Sequence, residues 1–501
     1  MRRALALLSL VLFVPIVPAA DPLDGFDDAV RKAMKLHAVP GLGVAIIKDG
    51  KVVLAKGYGV REVGKPEAVT ENSLFAIGSV SKSFTAALAA MLVDEGKLKW
   101  DDRIKEHVSD FQMKDNYLTE EIRLRDTLSH RTGLDRHDMV WYGGRFTTPQ
   151  LVTKLRDMKP AHQFRTNFVY NNLMYMVAGQ TVAKVVGKSW DDVVAERLFK
   201  PLGMATANTS TAKLPKDGDV AMPHERRKKG LAMAVPWLNI DCIGPAGSIN
   251  ASAADMAKYV QFQLTRGKVG DKRLVKAAVF DEMHKAQMLV PKGISLFNGD
   301  AKSSAYGFGW FLSDYHGRTL IEHGGNIDGM TAQVGFLPDE KLGVVFLANL
   351  GTSTLPAALM FDTFDRYLGL PLTNDRVEGT SLLMWAVAAG TQVAGVQFNE
   401  SKRQKDAKPP VPLADFAGKY EDTLYEAVEL TTVGDKLRLK WTNFAYDLEF
   451  WQFGTFRGTD PDGRWPSIGV HFLLDENGQP TEMKLAGLNV DDVRFKRKKG
   501  S

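Results

Sequence analysis

Ser79 and Lys82 are the first pair in this sequence whose types and spacing suggest a reaction. They lie in F-A-I-G-S-V-S-K-S-F, residues 75–84. Three positions apart in the first turn of a helix, two side chains share one face. A serine hydroxyl is a weak nucleophile and needs a base to take its proton. A lysine kept from water, or set beside another cation, loses proton affinity and becomes such a base. The helix N-terminus favours the negative charge that develops nearby. The pattern S-x-x-K also describes a plain helix cap and a surface lysine, so the pair needs company. Two clusters far along the chain supply it. Tyr170-Asn171-Asn172 opens a helical pattern, and His323-Gly324-Gly325 ends a strand pattern.

In this order and spacing, F-x-I-G-S-V-S-K, Y-x-N and H-x-G resemble the serine β-lactamase and penicillin-binding protein superfamily. They are most similar to its class C β-lactamase-like branch, which also holds D-aminopeptidases, esterases and D-Ala-D-Ala carboxypeptidases. L-S-H-R-T-G-L (128–134), P-L-G-M (201–204), P-A-G-S (245–248), A-A-D-M-A (253–257) and Y-G-F-G-W (306–310) fit the same branch, and the likeness covers residues 24–370. The resemblance implies that Ser79 is acylated and that Lys82 holds or accepts its proton. It makes Tyr170, partly ionised beside Lys82, the base or the relay to the leaving group. Asn172 would bind the substrate amide and orient Lys82. Backbone N–H groups of Ser79 and Asn326 would form the oxyanion hole, and Gly324 and Gly325 would let a substrate lie along the strand edge.

One departure bears on the substrate. Penicillin-processing members carry K-T-G where this chain has His323-Gly324-Gly325. A histidine is cationic only part of the time near neutral pH, and a glycine offers no hydroxyl. The expectation is therefore an amidase, peptidase or esterase on a small-molecule or peptide substrate, with no metal or organic cofactor. An esterase or β-lactamase of the same fold is the alternative, and a non-catalytic protein that binds peptidoglycan fragments is the rival from another class. No G-x-S-x-G elbow occurs, which sets a lipase aside. His130, His137 and Asp138 lack a zinc-site spacing, and His130 reads as structural.

The elements that must position these residues are visible in the pattern. Gly41–Lys48 and Lys51–Ala55 flank Asp49-Gly50, a hairpin signal, with Phe26, Val30 and Ala33 at helical spacing before it. A helix runs from Ser79 to about Gly96. Residues 172–186 and 189–199 read as helices, and Ser189 with Asp192 resembles a capping box. Strands return at Gly307–Leu312, Thr319–Glu322, Thr331–Leu337 and Gly343–Ala348, and Leu355–Tyr367 reads as a helix. The fold class is α+β: one antiparallel sheet built from both ends of the domain, helices on its faces, and a helical insertion between. Residues 21–370 form this domain and 371–411 a helix and linker.

From 412 the texture is all β, in short strands at 427–432, 436–441, 446–450, 467–474, 482–486 and 493–496, which suggests a small barrel or sandwich. P-L-A-D-F-A-G-K-Y-E (412–421) resembles the lipocalin-like barrel appended to exported serine peptidases of this branch. Trp441, Phe444, Tyr446, Phe450, Trp451, Phe453 and Phe456 read as its core. In relatives such a domain covers the active site or mediates oligomers, so a homo-oligomer through residues 412–501 is the expectation the resemblance adds.

Residues 1–20, with Arg2-Arg3, an apolar run and Val17-Pro18-Ala19-Ala20, have the layout of a secretory signal peptide. No cysteine follows to accept a lipid, so a secreted or periplasmic protein is expected. No later stretch is long enough to span a bilayer. The chain of 501 residues carries a net charge of +5 with its basic residues dispersed, which argues against nucleic-acid binding. Its one cysteine, Cys242, permits no internal disulfide and reads as a small buried hydrophobe.

Overall fold

A computed structural model of the chain describes residues 21–227, 231–291, 303–372, 377–378, 396, 398–404, 406–463, 465–487 and 493–498. The expected signal segment and much of the expected 371–411 helix and linker lie outside the described residues.

Asp49 and Gly50 take φ of 50° and 78°, the primed turn that Asp-Gly favours. They join β1 (Gly41–Lys48) to β2 (Lys51–Gly59). The later strands are β3 (Met288–Leu289), β4 (Ser304–Tyr306), β5 (Phe311–Tyr315), β6 (Arg318–Ile327), β7 (Met330–Leu337) and β8 (Leu342–Ala348). Together they form one sheet in the order β2-β1-β8-β7-β6-β5-β4-β3. β1 pairs antiparallel with β8, so the two ends of the domain meet at the sheet's middle. Alternate residues face opposite ways. Val44, Ile46, Val344 and Phe346 pack with α1 (Phe26–Leu36) and α5 (Leu355–Leu368). Ala45, Ile47, Val345 and Leu347 face the larger core, with α4 (Ala253–Leu264) and α2 (Ser81–Asp94). Every residue of α2 from Ser81 to Leu92 is buried, the mark of a helix that runs through a core. α3 (Asn172–Val186) is capped by the Asn171 side chain, which accepts from the Met174 N–H, and stops at Gly187 with φ of 74°.

One expected strand is corrected. Residues 307–310 are not extended: β4 ends at Tyr306 and β5 begins at Phe311. Gly309 has φ of 78°, and a Cβ there would lie 2.7 Å from the Ser83 Cα. The aromatic run folds into a turn because it is pressed against the start of α2.

The C-terminal region closes into an eight-stranded barrel. Its strands are β9 (Gly418–Asp422), β10 (Glu426–Val433), β11 (Lys436–Trp441), β12 (Phe444–Gln452), β13 (Thr455–Thr459), β14 (Ile468–Leu474), β15 (Pro480–Ala486) and β16 (Arg494–Arg497). β9 and β16 pair, so no edge remains open. Trp441, Phe444, Tyr446 and Phe456 are buried in the core as expected, with Phe450 partly buried against it. Trp451 is buried outside that cluster, against Phe398. Phe453 is a correction: it is 69% exposed, at a turn with positive φ. Cys242 is buried, and burial pushes its thiol up to about 11. No helix among the described residues is long and apolar enough to cross a membrane.

Candidate active site

Ser79 lies in a short 3-10 turn, Gly78–Val80, that feeds directly into α2. It is partly exposed on a buried platform. The P-A-G-S segment holds that platform from below. Thr85 Oγ1 donates to the Pro245 carbonyl at 2.8 Å, and the Ile249 N–H donates to Ser81 Oγ at 3.1 Å.

Lys82 is fully buried. Its Nζ stands 3.0 Å from Ser79 Oγ, 2.7 Å from Asn172 Oδ1 and 2.8 Å from the Ala246 carbonyl. Burial holds its pKa well below the usual lysine range, and the Arg136 charge pushes the same way against Asp138. A neutral amine has two N–H donors and one lone pair. In that unprotonated form the Asn172 and Ala246 oxygens take both donors, which leaves the lone pair for the Ser79 hydroxyl.

Tyr170 reaches the same place from the start of α3, with Lys82 Nζ 4.8 Å from its ring centroid. Burial raises its pKa, and a hydrogen bond with Ser79 acts in the opposite sense. Burial thus disfavours both the Lys82 ammonium and the Tyr170 phenolate, which runs against the partly ionised tyrosine that the resemblance implies. His130 lies 4.3 Å from Tyr170, ring to ring. Its Nδ1 accepts the Asn171 N–H at 3.0 Å. That bond ties the L-S-H-R-T-G-L turn to the Tyr170-Asn171-Asn172 corner, a structural task for this histidine.

His323 is 1% exposed. Its Nδ1 donates to the Gly324 carbonyl at 2.6 Å and its Nε2 accepts from the Tyr306 hydroxyl at 3.0 Å. Burial, with the nearby Lys82, lowers its pKa to about 3. The part-time positive charge expected near neutral pH is therefore a correction: the ring is neutral, and both its nitrogens are occupied. The backbone that follows approaches Ser79 closely. A Cβ on Gly325 would lie 2.0 Å from the Ile77 carbonyl oxygen and 3.1 Å from the Ser79 nitrogen, and one on Gly78 would lie 2.9 Å from the Asn326 nitrogen. The Ser79 and Asn326 amides are thus neighbours. β5 pairs with β6 only as far as Glu322, while β7 pairs with it through Ile327. Among the described residues, 323–327 keep one edge without a strand partner, directly beside Ser79.

A family model described as Beta-lactamase matches residues 26–362, and one described as a domain of unknown function, DUF3471, matches 402–498. The chain belongs to the β-lactamase family. It is a serine hydrolase of that family. The chain is 30% identical to Unguisins hydrolase ungD of Aspergillus violaceofuscus, across 82% of this chain and 76% of that protein. To Protein flp of Staphylococcus aureus it is 26% identical, across 67% and 65%. Its fold is shared with an octameric penicillin-binding protein homologue from Pyrococcus abyssi, at a TM-score of 0.63, 23% identity, and coverage of 94% of this chain and 99% of that one. A class C β-lactamase matches at a TM-score of 0.58 and 22% identity, over 70% of this chain and 98% of that one.

Within this β-lactamase-family site, two residues went unnoticed or misread in the sequence. Asp138 stood out only as a metal decoy. It accepts from Asn172 Nδ2 at 3.0 Å, from Trp141 Nε1 at 2.9 Å and from Arg136 Nε at 2.7 Å. Arg136 in turn lies 5.2 Å from the Tyr170 ring centroid. Asp138 therefore fixes the amide whose other end holds Lys82. The signal was present as R-H-D just after L-S-H-R-T-G-L, but only the fold brings it to Asn172.

Proposed function

We propose that this chain cleaves an amide or ester through an acyl-enzyme on Ser79. The observation that carries the reading is the 3.0 Å approach of a buried, charge-disfavoured Lys82 to Ser79 Oγ. Lys82 takes the hydroxyl proton as Oγ bonds to the substrate carbonyl carbon. The oxyanion forms between the Ser79 and Asn326 amides, where fixed donors stabilise developing charge. Collapse breaks the C–N or C–O bond. The leaving group takes a proton from the Tyr170 hydroxyl, and Tyr170 recovers one from Lys82. Water then attacks the acyl carbon, loses its proton to the same groups and frees Ser79. Asn172 orients Lys82 and meets the substrate amide.

A peptide-like substrate, including one with D-residues, is the favoured class. The unpartnered edge at 323–327 supports this, because an extended backbone pairs with such an edge. The relative named for hydrolysing unguisins supports hydrolysis as the reaction class. A neutral, buried His323 disfavours efficient β-lactam turnover, since no cation stands there for a carboxylate. Gly325 serves by close approach. Export belongs to the same proposal, on Arg2-Arg3 and the apolar run after them, and N-terminal sequencing of the secreted protein checks it. The octameric state of the Pyrococcus abyssi homologue supports homo-oligomerisation, which light scattering tests.

The deciding experiment is fluorophosphonate labelling with turnover of a panel of D-amino amides, D-Ala-D-Ala peptides, nitrocefin and short esters. Labelling at Ser79 that Ser79→Ala abolishes is the expected result. Absence of labelling in the intact chain would favour the non-catalytic peptidoglycan-binding rival.

A further inference from the structure

The loop that carries Asp138 also carries Tyr142, and Tyr142 crosses to the other wall of the cleft. Its hydroxyl donates to the Asp328 carboxylate, two residues beyond Asn326. Its ring stacks on Phe444 of the barrel, with centroids 5.3 Å apart and planes at 29°, and meets the Trp465 edge at 6.0 Å. The barrel grips the loop on both sides of this residue. His137 Nδ1 lies 2.9 Å from the Tyr425 hydroxyl, and Arg145 donates to the Tyr425 carbonyl at 2.8 Å.

These contacts close a ring beside the nucleophile. It runs from Ser79 through Lys82, Asn172 and Asp138 to Tyr142, across to Asp328, and back through Asn326 to Gly78. Asn326, near the end of the 323–327 edge, belongs to this ring, while His323 stands at the opposite end of that edge. Which end takes which half of the substrate follows from Tyr170. Its ring centroid is 6.3 Å from that of His323, which brings this proton donor into ring contact with the start of the 323–327 edge. In the proposed reaction the leaving group must meet the Tyr170 hydroxyl. The leaving group therefore extends toward His323, and the acyl group toward Asp328.

We propose that Tyr142, tied to Asp328 and backed by Phe444 and Trp465, is a specificity-determining strap that closes the acyl end of the cleft and restricts substrates to a short acyl portion. Asn326 and Asp328 are two residues apart, Asp328 in the turn after β6, a span of at most about 7 Å, which is room for about one substrate residue. The barrel thereby sets substrate length without touching the reacting atoms. This inference rests on the acyl-enzyme reading above.

The test compares kcat/KM for p-nitrophenyl acetate and p-nitrophenyl octanoate in the full chain, in Tyr142→Phe and in Asp328→Ala. Tyr142→Phe keeps the ring against Phe444 and removes the tie. Asp328→Ala removes the tie from the opposite wall and leaves Tyr142 itself intact against Phe444. The full chain should prefer acetate, and both variants should shift the ratio toward octanoate by about tenfold. An equal preference in the full chain, or a ratio unmoved in both variants, overturns the strap while Ser79 stays essential. Turnover that survives in Ser79→Ala overturns the acyl-enzyme reading instead, and the strap with it.

Discussion

Lys82 Nζ is 3.0 Å from Ser79 Oγ, and no carboxylate lies within salt-bridge distance of it among the described residues. Its neighbours are two neutral oxygens and the nucleophile. Such a lysine is suited to accept a proton and poorly suited to carry a permanent charge. Lys82→Ala should slow acylation of Ser79 by about 10³-fold. Lys82→Arg should be nearly as impaired, because a guanidinium does not give up its proton. Stopped-flow acylation by a chromogenic ester measures both. Near-normal acylation in Lys82→Ala would leave this lysine as a structural accessory.

The two charges behind Lys82 act in opposite directions, and the pH profile should separate them. Acylation requires the unprotonated amine, so its rate rises with pH through the depressed Lys82 pKa. Arg136 lowers that pKa and Asp138 raises it. Arg136→Gln should therefore move the rise to higher pH, and Asp138→Asn should move it to lower pH. Asp138→Asn should also lower the plateau, since Asn172 loses its charged acceptor. Profiles of kcat/KM that coincide with the parent's in both variants would remove Arg136 and Asp138 from the electrostatics of the base.

Local pattern carried much of this site. The i, i+3 spacing of Ser79 and Lys82 held because a helix fixes such pairs geometrically, although Ser79 itself lies in the 3-10 turn just before α2. The Asp-Gly hairpin and the strands around Gly343 were legible for the same reason: their signals are local. The charge of His323 was not legible because it is set first by burial and then by the nearby Lys82, both of which only the folded chain supplies. Phe453 was misplaced because aromaticity marks core on average and says nothing of a turn tip. Strands β9 and β13 were missed because K-Y-E-D and T-F-R-G-T show too little apolar alternation; closure of the barrel extends them.

The two glycines after His323 should differ sharply. A methyl on Gly325 would strike the Ile77 carbonyl at 2.0 Å and press on the Ser79 nitrogen. Backbone must move there, and it carries an amide proposed for the oxyanion hole. Gly325→Ala should cost about 1–3 kcal/mol of stability and about 10²-fold in kcat. A methyl on Gly324 would press on Gln333 Oε1, the end of a side chain rather than backbone, at 3.0 Å, with the Ala332 carbonyl oxygen in ordinary contact at 3.8 Å. Gly324→Ala should stay near parent activity. Equal effects of the two substitutions would contradict the close approach of β6 to the nucleophile turn. Denaturation midpoints and steady-state rates on one ester are sufficient.

Lys82 should also leave a signature in stability. Its folded pKa is depressed, so between that value and the ordinary lysine value of 10.5 the unfolded chain holds a proton the native chain lacks. Stability rises with pH wherever the unfolded state binds more protons. The burial penalty is therefore complete below the folded pKa and is relieved as pH approaches 10.5. Lys82→Met removes the titrating group. It also leaves the Asn172 and Ala246 oxygens short of a donor, a cost that does not vary with pH in this range. The variant's stability relative to the parent should therefore fall as pH rises, by at most about 1.4 kcal/mol per pH unit. Urea denaturation of both proteins at pH 7 and 9.5 reads this slope. Parallel curves would mean that Lys82 ionises as it does in the unfolded chain, and a charged ammonium could not serve as the base for Ser79.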